Sequence, residues 1–451
     1  MNLDVGKESK KRKVLMVPFL FPPSSIVGAV RPGKFAKYLT RFGWKPIVLT
    51  PERVGGLPQV SPIEMSSEAD IVRIPYFSLG NFIREKLIGS GDRTGQENGG
   101  GGLPGGNAFY RTLHRINPIY SRSTLFELLI DNADWYFRTV RRGMQVVTEQ
   151  KIDIIFSSYP PSVSHLVAAS LHRKTGIPWV AELRDLWSSD PYPDMRIIQP
   201  LQFLEEQIEK RVLKSATSLI TSTSQCAQWL EALHSKKVEE IQNGFDEEDY
   251  VEDVSSTSKF ILTYTGNIGL VRRNSLFLFL EALYKLRREE DISPDEFEVR
   301  FFGGDSLASL TPSIERYNLK EIVKIYDFIP FKESLRRQRE STVLLLPSWN
   351  DPRDKGTLTG KIHQYLGAQK PIIAISFRGG AIDELLTETG TGVVVNTVDE
   401  IKGLLSLWLK EFRQSRNISS HYRPNSNIYH YTWREQTQRL VRLFEQKASI
   451  G

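Results

Sequence analysis

The chain has 451 residues, of which 40% are hydrophobic and 25% are charged, and its net charge is +6. This length predicts two domains, and the composition is typical of a globular protein. The single cysteine, Cys226, excludes a disulfide within the chain and fits a cytoplasmic, reducing compartment. No apolar run reaches the length of a membrane span. The modest positive charge suits anionic substrates or an anionic membrane surface and does not indicate nucleic-acid binding.

The first half of the chain alternates between strand and helix patterns. Residues 1–12 are basic and polar, and we expect a disordered tail there rather than a signal peptide. Apolar spacing predicts helices over Gly28–Phe42 and Ser162–Thr175. The predicted strands are Val14–Phe19, Pro46–Thr50, Ile71–Ile74, Ile152–Ser157, Trp179–Leu183, Ser218–Thr221 and Glu240–Gln242. This alternation predicts an α/β domain over residues 13–245 with a mainly parallel, doubly wound sheet.

An insertion interrupts this half. Its glycine-rich part, Gly89–Gly106, predicts a flexible loop within a segment that we place at 89–122. Aromatic and basic residues then interleave over Phe109–Arg122 and Trp135–Arg142. The pattern indicates either a helix with a solvated basic face or contact with a lipid surface or a lipid-diphosphate acceptor. The cations in question are Arg111, Arg115, Arg122, Arg138, Arg141 and Arg142.

The acidic, aperiodic link Asp246–Ser258 predicts the domain boundary. A second α/β domain is predicted over residues 258–427, with six strands in Rossmann-like alternation with helices. The predicted strands are Phe260–Tyr264, Val299–Phe302, Val323–Phe328, Val343–Leu346, Pro371–Ile375 and Gly392–Val395. In the last segment, 428–451, apolar spacing predicts a helix over Tyr431–Gln446.

A phosphate-binding pattern follows the predicted strand at 343–346. The segment Gly356–Pro371 begins as a polar, glycine-containing loop and continues as a helix whose first turn carries Lys361. A helix N-terminus presents unpaired backbone N–H groups and a partial positive charge, and the lysine adds a full charge. The segment predicts either a seat for the diphosphate of an activated donor or an ordinary strand–loop–helix unit. We expect Lys361 to face solvent.

Polar residues also follow strands of the first half. Gly28 lacks a Cβ at the predicted start of the first helix, which suits close approach of a donor phosphate or an acceptor, or a plain turn. Arg31, one turn later, is expected to face the same edge. Glu182, Arg184 and Asp185 place three charges in four residues at the end of a strand. We predict that all three are catalytic residues, with Asp185 as a general base or a hydroxyl-orienting group and Arg184 as its support or a phosphate ligand. The alternative is a structural ion pair that holds the end of the strand in place.

Taken in order, these motifs resemble the two-domain GT-B glycosyltransferases, specifically glycosyltransferase family 4. The resemblance rests on PFLFPPSSIVGAVRPGKFAKYL, DIIFSSYPPSVSHLVAASLHRKTGIPWVAELRDLW and QNGFD, and on YTGNIG, FFGGD, VLLLPS, KIHQYLGAQKPIIAI and GTGVVV. It implies two Rossmann-like domains that face across a cleft, with the acceptor on the first and the nucleotide sugar on the second. It also implies that the terminal helix crosses back to pack on the first domain.

The resemblance assigns further roles to residues of the second domain. Gly266 and Asn267 leave its first strand, and the basic residue that neutralises the donor diphosphate corresponds to Arg272 or Arg273. A guanidinium suits this task because it can bind phosphate oxygens with two parallel hydrogen bonds.

Many retaining members of the family carry two glutamates here. The positions that match those two glutamates hold Gly356 and Gln364, so the stereochemical outcome stays open. Gln364 can still bond a ribose hydroxyl. The neighbouring His363 either faces the ligand or is solvated.

Three functions follow from this interpretation. The first is a metal-independent glycosyltransferase that moves a sugar from a nucleoside-diphosphate sugar to a surface glycan, including one on a lipid carrier. The others are a sugar-nucleotide epimerase and a non-catalytic sugar-nucleotide-binding subunit. We expect no cofactor besides the donor substrate and no bound metal, because the sequence has neither His/Cys ligand spacing nor a DxD motif beside an apolar strand.

Overall fold

The computed structural model describes residues 11–24, 26–54, 67–78, 124, 131–189, 199–250 and 257–449. The chain divides into two compact units. The first comprises Met1–Ser222, Cys226–Ile241 and Thr437–Gly451, and the second comprises Thr223–Gln225 and Gln242–Gln436. Most of the predicted tail and the whole insertion at 89–122, with Arg111, Arg115 and Arg122, lie outside the described residues.

The first unit contains a parallel sheet in the order β3-β2-β1-β4-β5-β6-β7. Its strands are β1 (Arg12–Pro18), β2 (Trp44–Pro51), β3 (Asp70–Ile74), β4 (Ile154–Tyr159), β5 (Trp179–Leu183), β6 (Ser218–Thr221) and β7 (Val238–Glu240). Its helices are α1 (Val27–Arg41), α2 (Ala133–Glu149), α3 (Val163–Thr175), α4 (Gln199–Leu213) and α5 (Ser224–His234). The strands are apolar on both faces because helices cover them, as in other doubly wound sheets.

The second unit contains a parallel sheet in the order β10-β9-β8-β11-β12-β13. Its strands are β8 (Phe260–Thr265), β9 (Phe297–Phe302), β10 (Val323–Tyr326), β11 (Val343–Pro347), β12 (Ile372–Ile375) and β13 (Gly392–Val395). Its helices are α6 (Leu270–Glu289), α7 (Thr311–Arg316), α8 (Phe331–Glu340), α9 (Gly360–Ala368), α10 (Ala381–Thr389) and α11 (Val398–Ser415). This strand order is that of the Rossmann fold, in which the order of the strands along the sheet reverses between β8 and β11.

The predicted strands and helices are confirmed with small shifts at their ends. β7 lies two residues earlier than predicted, because buried Val238 pairs with Leu219 of β6. β10 ends before Phe328, whose side chain is 73% exposed. The main segment of the second unit begins at Gln242, before the predicted link. Tyr250 of that link donates a hydrogen bond to the carbonyl of Gln364. The described part of the link therefore packs within the second unit.

The terminal helix α12 (Trp433–Ala448) returns to the first unit, which includes Thr437–Gly451. Phe444 is fully buried, and its ring packs edge-on against Trp44 of β2 at 5.4 Å and Phe156 of β4 at 5.9 Å. Aromatic pairs at such distances stabilise a core beyond their buried area. The apolar residues behind the predicted helical spacing, Trp433, Leu440, Leu443 and Phe444, are all buried.

Candidate functional site

The candidate site of the second unit lies where the strand order of its sheet reverses, between β8 and β11. Strands β8 and β11 are neighbours, and in parallel sheets ligands bind beyond the carboxyl ends of such strands. The loop after β8 holds Gly266, and the loop after β11 leads into α9 at Gly360. The sequence-predicted loops therefore meet at one edge of the sheet.

Lys361 and Gly266 are in direct contact at this edge. Gly266 has φ +122°, a conformation that side chains rarely adopt, and a Cβ there would overlap Cε and Nζ of Lys361. The ammonium also lies 5.9 Å from the ring centroid of Tyr264. Burial, together with the charge of Arg272, lowers the pKa of Lys361 to about 8. Lys361 is thus half-buried rather than solvent-facing as predicted, because its stem crosses the glycine loop.

The two candidate arginines lie in the first turn of α6. The charge of Arg272 lowers the pKa of Lys361 and opposes the burial-driven rise of the pKa of Tyr264 to about 12. Arg272 therefore lies near Lys361, as the phosphate hypothesis requires. Nε of Arg273 is buried and has no hydrogen-bond partner among the described residues. Two like charges held close together favour an anionic ligand between them.

The turn after β9 supports this glycine loop, a role that was not predicted from the sequence. A Cβ on Gly303 would overlap the carbonyl of Gly266, so the two loops approach each other as bare backbone. Ser306 donates to the carbonyl of Gly303 at 3.1 Å and accepts from the backbone N–H of Ile268 at 3.2 Å. The glycine pair in FFGGD was the signal for this close approach. Asn267 is exposed, and its carbonyl accepts a hydrogen bond from Tyr264.

Gln364 lies one turn beyond Lys361 on α9. Its Oε1 is 3.5 Å from Nε2 of Gln338, a fully buried side chain of α8 that also donates to Thr265 at 3.0 Å. Nothing in the sequence identified Gln338, because its role depends on the packing of α8 beside β8. His363 is 1% exposed and lies 6.2 Å from the ring of Tyr431, so the solvated alternative for His363 is wrong.

The loop between β11 and α9 is organised by a buried carboxylate. Asp354 accepts hydrogen bonds from Oγ of Ser348 at 2.8 Å and from the backbone N–H of Trp349 at 3.2 Å. Ser275 of α6 in turn donates to the carbonyl of Ser348. These bonds connect the loop that precedes Lys361 to the helix that carries Arg272. No pattern in the sequence identified Asp354.

In the first unit, Arg31 and Glu182 form a buried ion pair. Nε of Arg31 lies 2.8 Å from Oε1 of Glu182, and the side chains are 3% and 0% exposed. Glu182 also accepts from Ser158 at 2.5 Å, and Arg31 donates to the carbonyl of Ile241 at 2.6 Å. Arg31 does not face a ligand-binding edge as predicted, because its turn of α1 packs onto the sheet. This geometry favours the structural ion pair over a catalytic Glu182.

Arg184 connects the end of β5 to the first turn of α1 and to the end of β4. It donates to the carbonyl of Gly28 in α1 and, at 3.2 Å, to the carbonyl of Pro160 after β4. A Cβ on Gly28 would lie 2.7 Å from its Nη2, so the missing side chain makes room for the guanidinium. Burial lowers the pKa of Arg184, and nearby Asp185 opposes that shift. The structure thus brings Gly28 and Arg184 together and leaves the neighbouring Asp185 exposed.

The described residues contain no group of three His, Cys, Asp or Glu side chains that could hold a metal ion. Over the same residues, each helix is too short or too polar to traverse a lipid bilayer.

Comparison with known proteins identifies one family model. Residues 104–244 match the Glycosyl transferase 4-like domain, a stretch that includes β4 to β7 of the first unit. No curated protein matches the chain significantly.

Solved structures resemble nearly the whole chain. Sucrose-phosphate synthase from Thermosynechococcus elongatus is 14% identical with a TM-score of 0.62, over 98% of this chain and 100% of that one. The lipopolysaccharide outer core galactosyltransferase WaaB is 11% identical with a TM-score of 0.53, over 96% and 99%. A putative UDP-N-acetylglucosamine 2-epimerase from Listeria monocytogenes is 11% identical with a TM-score of 0.55, over 98% and 98%. The chain therefore has the expected GT-B fold, and its residues 104–244 match the Glycosyl transferase 4-like domain.

Proposed function

We propose that this protein is a glycosyltransferase that moves a sugar from a nucleoside-diphosphate sugar to a surface-glycan acceptor, including one on a lipid carrier. The observation that carries the proposal is the contact of Lys361 with Gly266 beside Arg272, at the carboxyl ends of β8 and β11. This cluster offers two positive charges and bare backbone at a helix N-terminus, which is the chemistry that a diphosphate requires.

Charge at this position assists transfer as well as binding. When the bond between the anomeric carbon and the donor oxygen breaks, the nucleoside diphosphate leaves with additional negative charge. The ammonium of Lys361 and the guanidinium of Arg272 stabilise that charge as it develops, so they lower the transition state more than the ground state. Arg273 and Gln364 extend the donor site along α6 and α9.

The acceptor is assigned to the first unit. Asp185 is an exposed carboxylate at the end of β5, and it would take the proton of the acceptor hydroxyl as that oxygen bonds the anomeric carbon. Arg184, which holds the carbonyls of Gly28 and Pro160, would position this edge without contacting the sugar.

A non-catalytic sugar-nucleotide-binding subunit is the second candidate. The observation that favours it is the presence of Gly356 and Gln364 where many retaining relatives carry glutamates. An epimerase shares the fold, as the Listeria neighbour illustrates, so the fold alone does not separate it from a transferase.

One experiment separates the three functions. A panel of nucleotide sugars is first screened for a rise in melting temperature, and each ligand that binds is then incubated with and without glycan acceptors. A transferase forms nucleoside diphosphate and extended glycan, an epimerase changes the sugar without an acceptor, and a binding subunit shows stabilisation without turnover. Loss of stabilisation in Lys361→Met would attribute the ligand to this site.

We also propose that this protein is cytoplasmic and lies peripherally on the inner face of the membrane. Of the cations predicted to contact lipid, Arg138, Arg141 and Arg142 lie on α2. Arg138 pairs with Asp134 at 2.8 Å and Arg142 lies 3.5 Å from Glu149, which leaves Arg141 exposed and without an ion pair among the described residues.

A further inference from the structure

Two grooves on the helical surface of the first unit share one side chain, Tyr136 of α2. The first, which we name the α3–α4 groove, has a volume of about 640 Å³ and is lined by Arg173, Arg211 and Lys214 over an apolar floor. The second, the α2 groove, has a volume of about 720 Å³ and carries Arg141 and Lys174. None of the residues that line them was assigned to the donor or to the acceptor in the proposed transfer.

The cations of the α3–α4 groove are exposed and form no ion pair with a carboxylate of the described residues. Arg173, Arg211 and Lys214 form no ion pair within the described residues, and no Asp or Glu lines the α3–α4 groove there. Arg336 of the second unit, by contrast, pairs with Glu333 and Glu340. Like charges that converge without partners repel one another, so their convergence favours an anionic ligand.

Helix ends explain part of this pattern but not all of it. Arg173 and Arg211 lie in the last turns of α3 and α4, where the helix dipole favours a cation. Lys214 lies beyond α4, and Arg141 lies in the middle of α2. The dipole therefore does not account for Lys214, which joins Arg173 and Arg211 over the apolar floor of the α3–α4 groove.

Exposed apolar side chains border the same surface. Phe137, which lines the α2 groove, is 68% exposed. On α4, Phe203 is 68% and Leu204 is 41% exposed, and Leu204 lies on the helix face of Arg211 and Val212, seven and eight residues before them. A soluble anion would need the cations alone. Cations beside exposed aromatic rings match the interface of a bilayer, where rings lie at the level of the headgroups.

We propose that the α3–α4 groove binds the headgroup of an acidic phospholipid, with Arg173, Arg211 and Lys214 on the phosphate and Phe137 inserted beside it. This inference rests on the peripheral membrane position given under the proposed function. It assigns lipid contact to the α3–α4 groove instead of to Arg138, Arg141 and Arg142. It is independent of sugar transfer.

The test uses the full chain in flotation with vesicles of phosphatidylcholine alone or mixed equally with phosphatidylglycerol. We expect binding only to the acidic vesicles. The triple variant Arg173→Glu/Arg211→Glu/Lys214→Glu should bind them roughly 100-fold more weakly, since each basic residue at an anionic surface contributes about 1 kcal/mol. The matched control Lys151→Glu/Lys332→Glu/Arg442→Glu changes three exposed cations and the net charge equally, and it should retain most of the binding.

A second pair of variants tests insertion of the ring. Phe137→Ser should weaken vesicle binding several-fold, whereas Phe328→Ser, which removes a 73% exposed ring from the second unit, should not. Equal losses in both triple variants, or equal binding to both kinds of vesicle, would overturn the proposal. A rise in melting temperature with inorganic phosphate at constant ionic strength, without binding to acidic vesicles, would also overturn it, because it identifies a free anion as the ligand. Nucleotide-sugar stabilisation should be unchanged in the triple variant, which separates this test from that of the proposed function.

Discussion

The side chain of Lys361 crosses the backbone of Gly266 so closely that position 266 cannot carry a Cβ without moving the ammonium. Lys361 lies on α9 and Gly266 follows β8. Their contact therefore joins the loops that follow β8 and β11, the two strands between which the strand order reverses. The glycine is required here for two separate reasons, its φ of +122° and the space that it leaves for the lysine.

Gly266→Ala should therefore impair both stability and donor binding. The positive φ costs a non-glycine residue about 1–2 kcal/mol, and the displaced lysine should weaken donor affinity at least tenfold. Gly269→Ala is the matched control, because a Cβ at position 269 meets no atom within 4 Å and the residue has φ −77°. Isothermal titration with the nucleotide sugar measures the effect. Equal affinities in the two variants would refute the role of the Lys361–Gly266 contact.

Lys361→Met should lower kcat/KM by roughly ten- to 150-fold, because a hydrogen bond to a charged group is worth about 1.5–3 kcal/mol. The control is Lys370→Met, which removes another partly buried lysine with a lowered pKa from the opposite end of α9. Steady-state kinetics with the donor identified by stabilisation measure both variants. An unchanged kcat/KM in Lys361→Met would place the diphosphate elsewhere.

The pKa of Lys361, lowered to about 8, predicts how donor binding and stability depend on pH. Below pH 8 the ammonium is charged and donor affinity should be constant. As the pH rises through 8, affinity should fall by up to tenfold per unit, and binding should take up a proton, which calorimetry in different buffers detects. Lys361→Met should remove this dependence on pH.

The ammonium of Lys361 also makes the stability of the fold depend on pH, in the opposite direction: stability rises as the pH rises above 8, whereas donor affinity falls. Because its folded pKa lies below the ordinary value of 10.5, the unfolded chain binds more protons between pH 8 and 10.5. The buried charge is thus unfavourable to the fold below pH 8, and this penalty disappears toward pH 10.5. Lys361→Met should melt at a higher temperature than the parent at pH 7, with a difference that shrinks above pH 8. A lower melting temperature at pH 7 would contradict this assignment.

Breaking the Arg31–Glu182 pair should destabilise the first unit. Glu182→Gln or Arg31→Met leaves the partner charge buried without compensation, which typically costs about 3–5 kcal/mol. The double variant should lose less than the sum of the single losses, because it leaves neither charge uncompensated. Denaturation curves of the four proteins measure this coupling. Full stability of Glu182→Gln with lost turnover would instead make Glu182 a catalytic residue.

Asp185→Asn should leave the fold intact and slow transfer. The side chain is exposed, so unfolding should change by no more than about 0.5 kcal/mol, whereas kcat should fall by about 100-fold or more if the carboxylate accepts the acceptor proton. Glu52→Gln is the control, since Glu52 is an exposed carboxylate that follows β2 at the same edge of the same sheet. Equal kcat values in Asp185→Asn and the parent would exclude the base assignment.

Much of the fold could be predicted from local patterns. The runs at Trp179–Leu183, Ser218–Thr221 and Gly392–Val395 are strands with the predicted bounds, because short apolar runs between helical patterns are typical of buried parallel strands. The anion site that we propose could be predicted for the same reason. A strand, a polar loop and a lysine in the first turn of a helix are adjacent in the chain, and so are a strand and the glycine that follows it.

The sequence by itself thus determined the two α/β halves, their strands and the residues that follow each strand, since periodicity and turn chemistry act over a few neighbouring positions. Only the tertiary structure decided the partners. It paired Arg31 with Glu182 across 151 positions, directed Arg184 onto the carbonyl of Gly28, and placed Gln338 beside Gln364. A charged residue near a strand end can face either solvent or the sheet, and the choice depends on which helix packs over it. That packing is set by contacts between residues far apart in the chain, which no local pattern records.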